Sequence, residues 1–368
     1  MVHTDKVELF CMKIRKHVYV AMSGGVDSAV AAVELLEAGF QVTGIFMETW
    51  KDKQNSQFDA FLSEPADLAR AVCNAIGVAC VILDVRNHFY QIVIRDFIQQ
   101  YLEGRTPNPC LFCNPQVKWG ILQKYALEQG ADYFATGHYA RLRYGNDDKV
   151  QLLRGIDSLK DQSYMLALLS QEQLRRTLLP LGEKRKTDVI KIAKSLRLPV
   201  QTEQESQDLC FLQDFDYRTF LQRHAPESVA TGEIVNSAGK VLGQHQGLAF
   251  YTIGQRRGIK IAATEPYYVI GKEPQSNRLV VGFADEAGSC ELLAKGASWI
   301  SESPPDDGKH YSVMVRYRAK PVTAKLQNVS KQEFRLEFNE PLRGISPGQI
   351  VVVYQGEICL GGGVINCA

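Results

Sequence analysis

Two groups of residues in this 368-residue sequence combine residue types and spacing that suit chemistry. The first is the segment Ala21-Met22-Ser23-Gly24-Gly25-Val26-Asp27-Ser28, which separates an apolar run at 18–20 from a helical pattern at 29–36. Its glycines allow the backbone to approach an anion closely, and its serines add hydroxyl donors. A strand, a glycine turn and a helix together point backbone N–H groups and the positive helix end at a phosphate. The sequence therefore predicts a phosphate-binding loop.

The loop lacks the Gly-Lys-Ser/Thr ending of the Walker motif, which argues against transfer of a γ-phosphoryl group. It resembles instead the SGGxDS pyrophosphate-binding loop of ATP pyrophosphatases, which cleave ATP between the α- and β-phosphates and pass AMP to a substrate oxygen. The plainer alternative is a strand-to-helix turn that carries two glycines for its geometry alone. The full match of SGGVDS favours nucleotide binding over that alternative.

The second group consists of thiols. Cys110 and Cys113 have C-x-x-C spacing within the segment 104–115, and Cys210 follows the polar residues 205–208. Three prolines and two asparagines in 104–115 predict a shaped loop there, neither helix nor central strand. Thiolates are nucleophiles and metal ligands, whereas buried thiols act as inert apolar groups. The nine cysteines lack the spacing of a disulfide framework, and no second C-x-x-C motif completes a zinc site.

Strands and helices alternate in the first half of the chain, and this alternation predicts how these groups are positioned. Strands are expected at 18–20, 41–47, 78–85 and 132–135, and helices at 65–77 and 88–102. Such alternation is typical of an α/β fold with a parallel sheet and helices on both faces. Ligands bind beyond the carboxyl ends of such strands. The glycine loop, Met47 and Gly137 should therefore meet at one edge of the sheet.

The second half of the chain has a different pattern. A short helix at 216–224 and a hairpin formed by 267–271 and 278–281 predict a small α+β domain. From about residue 284 only strands are expected, at 312–317, 322–326, 334–338, 350–354 and 357–360. These strands indicate a small C-terminal β-barrel. We therefore divide the chain into a catalytic domain at 1–213, a central domain at 214–283 and a β-barrel domain at 284–368.

Composition narrows the class of protein. A hydrophobic fraction of 45% and a charged fraction of 23% are ordinary for a globular protein. No apolar run approaches the ~20 residues of a membrane span, and the N-terminal residues lack the apolar core of a signal peptide, so a cytoplasmic location is expected. The net charge of +1 argues against non-specific coating of nucleic acid but allows a local basic face.

Motifs along nearly the whole chain resemble those of bacterial tRNA-specific 2-thiouridylases, which replace O2 of the wobble uridine with sulfur. They run from about residue 18 to residue 365 and are AMSGGVDS, GIFMETW, GRTPNPCLFCN, ATGHYAR, KDQSYML, DLCFL, GQHQGL, YTIGQRRG, VRYRAK and SPGQIVVVYQGEICLGGGVI. The resemblance implies an adenine nucleotide alpha hydrolase-like catalytic domain with ATP and Mg²⁺ as cofactors. It also implies tRNA as substrate, with glutamate, glutamine and lysine acceptors expected, and a sulfur donor such as a cysteine desulfurase or a sulfur-relay protein.

The same resemblance implies roles for single residues. Cys210 would bear a persulfide, and Cys113 would release its sulfur by forming a disulfide with Cys210 or by liberating sulfide. ATP would be bound by Ala21, Met22, Ser23, Gly24, Gly25, Val26, Asp27, Ser28, Met47 and Gly137. Contacts with tRNA would come from Asn108, Pro109, Cys110, His138, Lys160, Asp161, Gln162, Arg316, Tyr317 and Gln349.

Cys110 departs from the family pattern, which has aspartate at this position. A carboxylate can accept a proton from the neighbouring thiol, whereas a thiol with a pKa of about 8.5 is a weaker base near neutrality. Three alternatives stay open. In the first, Asp208 or another group substitutes for the aspartate. In the second, Cys110 takes part in the sulfur chemistry. In the third, Cys110, Cys113 and Cys210 together hold an iron–sulfur cluster.

Basic residues supply further candidates for tRNA contacts, in strips at 184–197, 256–260 and 316–320. Each strip has the plainer interpretation of a solvated face, and His138 has that of a hydrogen-bonded structural histidine. Two other functions also stay open. One is another adenylating pyrophosphatase, such as an amide-forming synthetase, which needs neither tRNA nor paired loop cysteines. The other is a non-catalytic tRNA-binding protein with a vestigial nucleotide loop.

Overall fold

The computed structural model describes residues 15–50, 64–145, 149–200, 209–212 and 216–367. Asp208 and the polar residues 205–207 before Cys210 therefore lie outside the described residues. Within the described chain, no helix is both long and apolar enough to cross a membrane.

A parallel sheet forms the centre of the first half. In chain order, the strands of this half are β1 His17–Met22, β2 Gln41–Glu48, β3 Ala79–Asp84, β4 Tyr133–Ala135, β5 Ala140–Tyr144, β6 Val150–Arg154 and β7 Thr177–Leu178. The sheet has the order β3-β2-β1-β4-β7, and neighbouring strands run parallel. The four strands expected from the sequence are confirmed, whereas the two-residue strand β7 was not expected.

Helices cover both faces of this sheet. They are α1 Val26–Glu37, α2 Glu64–Ala75, α3 Arg86–Phe89, α4 Arg95–Leu102, α5 Pro109–Cys113, α6 Lys124–Glu128, α7 Gln171–Arg175, α8 Lys186–Ser195 and, after the first half, α9 Tyr217–His224. Alternate residues of β1 enter different cores, because Val18 and Val20 pack with α1 and α2 while Tyr19 packs with α3 to α6. Burial on both faces explains the continuous apolar run in β1.

The strand order determines where ligands can bind. The chain builds outward from β1 to β3 and then crosses to the other side of β1 to form β4. This reversal leaves a crevice outside the carboxyl ends of β1 and β4. The glycine loop follows β1, and Gly137 follows β4, so both segments line the crevice.

One prediction was wrong, because the segment 104–115 is not a loop throughout. Helix α5 begins at Pro109 and continues through the π-helical stretch Asn114–Gln123 into α6. Pro109 is tolerated because the first helical turn needs no intrahelical N–H donor. Pro115 cannot donate to the helix ladder, and the hydrogen-bond pattern is i→i+5 in the stretch that contains it.

Further sheets form the second half. Their strands are β8 Gly232–Asn236, β9 Val241–His245, β10 Tyr268–Glu273, β11 Arg278–Gly282, β12 Gly288–Trp299, β13 His310–Met314, β14 Val322–Gln327, β15 Glu333–Arg343, β16 Ile350–Gln355 and β17 Ile358–Cys367. The smaller sheet has the order β10-β11-β8-β9 and contains the expected hairpin. The larger one runs β12-β15-β14-β13-β16-β17 and closes through the pairing of β12 with β17. The predicted β-barrel is thereby confirmed.

The first half and the barrel are joined more closely than the sequence suggested. The hairpin β5–β6 extends the barrel sheet, because β6 pairs with β17. Tyr164 Oη donates to the Ile350 carbonyl at 2.6 Å, and Gln171 Nε2 donates to the Ile300 carbonyl at 2.7 Å. The domain boundaries at 213/214 and 283/284 stay a proposal.

Gly44 marks a position where the central sheet has no room for a side chain. It lies in β2, and a Cβ there would collide with Cys73 Sγ and lie 3.0 Å from Met22 Cγ. We predict that Gly44→Ala lowers the free energy of unfolding by about 1–3 kcal/mol, the usual cost of overpacking. Urea unfolding followed by circular dichroism measures this loss. The Gly44→Ala/Cys73→Ala double variant should recover part of it, and a Gly44→Ala protein as stable as the wild type would contradict the prediction.

Candidate functional site

The glycine loop is closed on itself by its two serines. Ser23 N–H donates to Ser28 Oγ at 3.1 Å, and Ser28 Oγ donates to the Gly25 carbonyl at 3.0 Å. Gly24 has a φ of +78°, which favours glycine, and a Cβ there would meet Leu68 Cβ at 2.9 Å. Gly25 is the N-cap of α1 and has no side chain to occupy the first N–H groups of the helix. Those N–H groups can therefore bind an anion.

Asp27, in the first turn of α1, is held by two donors. Its Oδ1 accepts from Tyr139 Oη at 2.7 Å and from Lys186 Nζ at 2.6 Å. Lys184 pairs with Glu34 of the same helix at 3.0 Å. Two lysines of the first basic strip are therefore engaged with α1. Nothing in the sequence pattern indicated these pairings, because the partners are far apart in the chain.

Gly137 lies directly against the glycine loop. A Cβ at this position would be 2.7 Å from the Asp27 carbonyl carbon and 2.9 Å from Ser28 N. The loops that follow β1 and β4 are thus in backbone contact across the crevice, as expected. Met47 lies half-buried at the carboxyl end of the neighbouring strand β2. Direct contacts of these residues with ATP stay a prediction.

The three thiols lie within electrostatic reach of one another, although Cys210 is distant in sequence. Cys113 is buried at the end of α5, Cys110 is half-buried one turn earlier, and Cys210 is exposed. Burial raises the pKa of the Cys113 thiol to about 12, and the neighbouring Cys210 and Cys110 add to this rise. The surrounding protein, with a further effect of Cys110, raises the pKa of Cys210 to about 11. The proposed nucleophile pair is therefore protonated near neutral pH.

Lys118 is a residue of this cluster that the sequence analysis missed. Partial removal of water by the surrounding protein raises the pKa of all three thiols, and the Lys118 ammonium group opposes this rise in each of them. A lysine five residues after Cys113 would lie on another face of an ordinary α-helix. The π-helical stretch was the missing signal, and it is not visible in the sequence.

His138 connects the thiols with the nucleotide loop. It follows Gly137, its Nδ1 is hydrogen-bonded to Thr136 Oγ1 at 2.7 Å, and its ring lies 5.8 Å from that of Trp119. Burial, together with the Lys118 ammonium group, lowers the pKa of His138 well below its ordinary value. The imidazole is therefore neutral near pH 7. This state agrees with the plainer interpretation of His138 as a structural histidine.

Some of the residues predicted to contact tRNA make hydrogen bonds within the protein. Asp161 Oδ1 accepts from the backbone N–H groups of Gly155 and Ser163, each at 3.0 Å. Gln162 Oε1 accepts from Tyr139 N–H at 3.0 Å. These hydrogen bonds give Asp161 and Gln162 a structural role of their own.

The remaining candidates lie on several elements. Asn108 is the N-cap of α5 and Pro109 its first residue, Gln349 Nε2 donates to the Thr106 carbonyl at 2.8 Å, and the Tyr317 ring packs near Tyr164. Contacts with tRNA stay a prediction for Asn108, Pro109, Cys110, His138, Lys160, Asp161, Gln162, Arg316, Tyr317 and Gln349.

The three thiols are also the candidate ligands of a metal centre. Among the described residues, no group of three histidine, cysteine, aspartate or glutamate side chains is placed to hold a metal ion. An iron–sulfur cluster on Cys110, Cys113 and Cys210 stays a prediction.

Family models match the chain in three successive segments. The tRNA methyl transferase HUP domain matches residues 16–214, the tRNA methyl transferase PRC-barrel domain matches 218–283, and the aminomethyltransferase beta-barrel domain matches 289–365.

Curated relatives match over almost their full length, and they are named as 2-thiouridylases, not as methyl transferases. The tRNA-specific 2-thiouridylase MnmA of Carboxydothermus hydrogenoformans is 44% identical over 359 residues, which cover 96% of this chain and 98% of the relative. The protein of the same name from Chloroflexus aurantiacus is 41% identical over 351 residues, which cover 95% and 98%. A solved 4-thiouridine synthetase–RNA complex with bound ATP shows 16% identity and a TM-score of 0.36 over 58% of this chain and 51% of that one, too low to carry an argument.

Gly137→Ala tests the contact between the two loops. The added methyl group would displace the Asp27–Ser28 segment, because the atoms that it meets are backbone atoms. We expect the Kd for ATP, measured by isothermal titration calorimetry, to rise about tenfold or more, which corresponds to ~1.4 kcal/mol.

Gly271→Ala is the matched control for this change. It lies in the β10–β11 hairpin, where the added Cβ meets only side-chain atoms of Val280, at 3.3 Å or more. This variant should bind ATP like the wild type. An unchanged Kd in a folded Gly137→Ala protein would contradict the assigned position of the nucleotide loop.

Proposed function

The chain belongs to the family of tRNA-specific 2-thiouridylases, and we propose that the residues of the crevice carry out the reaction of this family. The protein is an ATP-dependent tRNA sulfurtransferase. The proposal rests on one observation: the nucleotide loop, His138 and the thiols lie along one crevice. Gly137 touches the nucleotide loop, and its neighbour His138 lies in the field of Lys118. The same ammonium group lowers the pKa of the Cys113 and Cys210 thiols electrostatically.

ATP supplies the leaving group in this proposal. A uridine carbonyl oxygen leaves poorly, so O2 first attacks the α-phosphorus of ATP, which forms an O–P bond and releases pyrophosphate. The N–H groups of the glycine loop and the positive end of α1 stabilise the charge of the departing pyrophosphate. Mg²⁺ would reach this site with the phosphates of ATP, as is usual for Mg²⁺ in nucleotide sites.

Cys210 is the proposed carrier of sulfur, because its exposed position allows a sulfur donor to reach it. Its persulfide attacks C2 of the adenylated uridine, so that a C–S bond forms, the C2–O bond breaks and AMP departs. Cys113 thiolate then attacks Cys210 Sγ, which leaves the second sulfur on C2 as 2-thiouridine and joins the two cysteines in a disulfide. In the alternative order, Cys113 attacks the persulfide first and liberates sulfide, which attacks C2. Both routes end with a disulfide between Cys113 and Cys210, and a thiol reductant must supply two electrons to reduce it before the next cycle.

The finer assignments of partners rest on the family resemblance. We propose a cysteine desulfurase or a sulfur-relay protein as the donor and the glutamate, glutamine and lysine tRNAs as substrates, with the reaction in the cytoplasm. Because Lys184 and Lys186 pair with carboxylates, the strips at 256–260 and 316–320 are the better candidates for phosphate contacts.

Cys110 does not serve as a proton acceptor in this proposal. Burial raises the pKa of its thiol, so the group is protonated near neutral pH. A carboxylate from outside the described residues, such as Asp208, stays the alternative for that role.

Other functions have less support. An amide-forming synthetase has no use for two cysteines that approach each other in a crevice. A non-catalytic tRNA-binding protein has no use for a nucleotide loop that is held by the Ser28 hydroxyl and, at Asp27, by Tyr139 and Lys186. Methyl transfer, which the name of the family models suggests, does not explain the SGGVDS loop, which resembles a pyrophosphate-binding loop.

A thiolation assay tests the proposed function. With Mg-ATP, cysteine, a cysteine desulfurase and unmodified glutamate, glutamine or lysine tRNA, we expect the wild type to form 2-thiouridine, detected by mass spectrometry of digested nucleosides. Cys113→Ser and Cys210→Ser should abolish the product, because each removes a sulfur that reacts. Cys290→Ser is the matched control, because Cys290 is an exposed thiol on barrel strand β12, and it should retain activity.

The same assay separates the alternatives. Release of pyrophosphate that depends on tRNA excludes a purely binding role. AMP formed with another small substrate, without 2-thiouridine, would assign the chain to the synthetases. Full activity of Cys110→Ser is expected if Cys110 has no part in the chemistry, and loss of activity would show that it has one.

A further inference from the structure

Two cysteines outside the crevice, Cys73 and Cys80, lie beside each other. Cys73 belongs to α2 and Cys80 to the strand β3 that follows it. Both side chains pack into the core that α1 and α2 form with one face of the parallel sheet. The proposed sulfur transfer uses neither thiol, so their proximity is not explained by that reaction.

Gly44 of β2 shows how close the two sulfur atoms are. Cys73 Sγ fills the space that a side chain at Gly44 would occupy, because a Cβ there would collide with it. Gly44 and Cys80 are directly paired in the parallel register of β2 and β3. Paired residues point to the same face of a sheet, and neighbouring strands lie ~4.8 Å apart. The Cys80 side chain therefore points to the face that carries Cys73 Sγ, about one strand spacing away.

The turn between the two cysteines fixes their backbones. The Val78 and Gly77 N–H groups donate to the Cys73 and Asn74 carbonyls at 2.9 and 3.2 Å, which are the two hydrogen bonds of a Schellman motif. Gly77 has the positive φ, +72°, that this motif requires. The end of α2 is thereby held against the start of β3. The two thiols are preorganised without a covalent bond.

The two thiols differ in exposure and in acidity. Cys73 is buried, whereas Cys80 is half-buried on β3, the outermost strand of the described sheet. The hydrogen bond with Cys73 and the Arg70 guanidinium group lower the pKa of the Cys80 thiol, and the same hydrogen bond raises the pKa of Cys73. Oxidants react first with accessible thiols of low pKa, and a neighbouring cysteine then completes a disulfide.

We propose that Cys80 and Cys73 form a redox modification site, at which hydrogen peroxide converts the two thiols into a disulfide. Cys80 thiolate attacks one peroxide oxygen, so that an S–O bond forms, the O–O bond breaks and the departing hydroxide takes up a proton to give water. Cys73 Sγ then attacks the Cys80 sulfenic acid. The S–S bond forms, the S–O bond breaks, and the Cys73 proton leaves in a second water molecule. The two thiols lose two electrons, which reduce the peroxide.

This modification does not rest on the proposed function, because it involves other cysteines. It would tie β3 to the helix that packs against the nucleotide loop, since a Cβ at Gly24 would lie 2.9 Å from Leu68 Cβ of α2.

Peptide mass spectrometry of the full chain tests the proposal. Reduced protein is treated with hydrogen peroxide in the absence of ATP and tRNA, unfolded, blocked with iodoacetamide and digested with trypsin. Cleavage after Arg70 and Arg86 leaves both cysteines in the peptide 71–86. We expect this peptide to lose two hydrogen atoms and to carry no alkyl group. In Cys73→Ser, Cys80 should stop at the sulfenic acid, which dimedone traps, and in Cys80→Ser the buried Cys73 should stay a thiol.

Cys80→Ser/Val81→Cys is the matched control, because it moves the second thiol by one residue and thereby to the other face of β3. We expect its disulfide to form at least about tenfold more slowly, since the sulfur atoms no longer have the required geometry. If this variant does not fold, Cys80→Ser/Ala79→Cys takes its place. Equal rates in the control and the wild type would overturn the proposal. A wild-type peptide 71–86 that stays reduced while the exposed Cys290 is oxidised would overturn it as well.

Discussion

A backbone contact with no room for a side chain holds the candidate site together. Gly137, after β4, touches the first residues of α1, and a single Cβ there would fall within 3 Å of three backbone atoms. Because β1 and β4 are neighbours in the sheet, their following loops begin close together and can meet only where one of them is reduced to backbone. Tyr139 and Lys186 then lock Asp27 from the other side. The position of His138, and with it the link to the thiols, follows from this contact.

The features that the sequence predicted are those encoded locally. The strands of the parallel sheet follow from apolar runs, and the nucleotide loop follows from six adjacent residues. The barrel follows from short strands separated by turns. The helix from Pro109 onward was missed because prolines usually interrupt helices, and their tolerance depends on position within the first turns. Pairings between distant residues, such as β6 with β17 or Lys186 with Asp27, left no pattern to read.

The barrel has a direct part in positioning the cysteines. Thr106 N–H donates to the Pro347 carbonyl at 2.8 Å, and Gln349 Nε2 donates to the Thr106 carbonyl at 2.8 Å. On the other side, a Cβ at Gly104 would lie 2.7 Å from Pro274 Cγ of the central domain. The segment that leads into α5 is therefore held between both C-terminal domains. A tRNA that binds to these domains would act on the same segment that presents Cys110 and Cys113.

The departure at position 110 and the position of Lys118 are parts of one electrostatic arrangement. The family's aspartate would place a negative charge one helical turn before Cys113, within reach of Cys210 as well, since Cys110 already influences the pKa of both thiols. Such a charge would oppose thiolate formation and cancel part of the attraction of Lys118. Cys110, protonated by burial, leaves the charge of Lys118 undiminished. This chain thus lacks a carboxylate that could accept a proton at position 110, and the Lys118 ammonium group lowers the thiol pKa values without an opposing negative charge there.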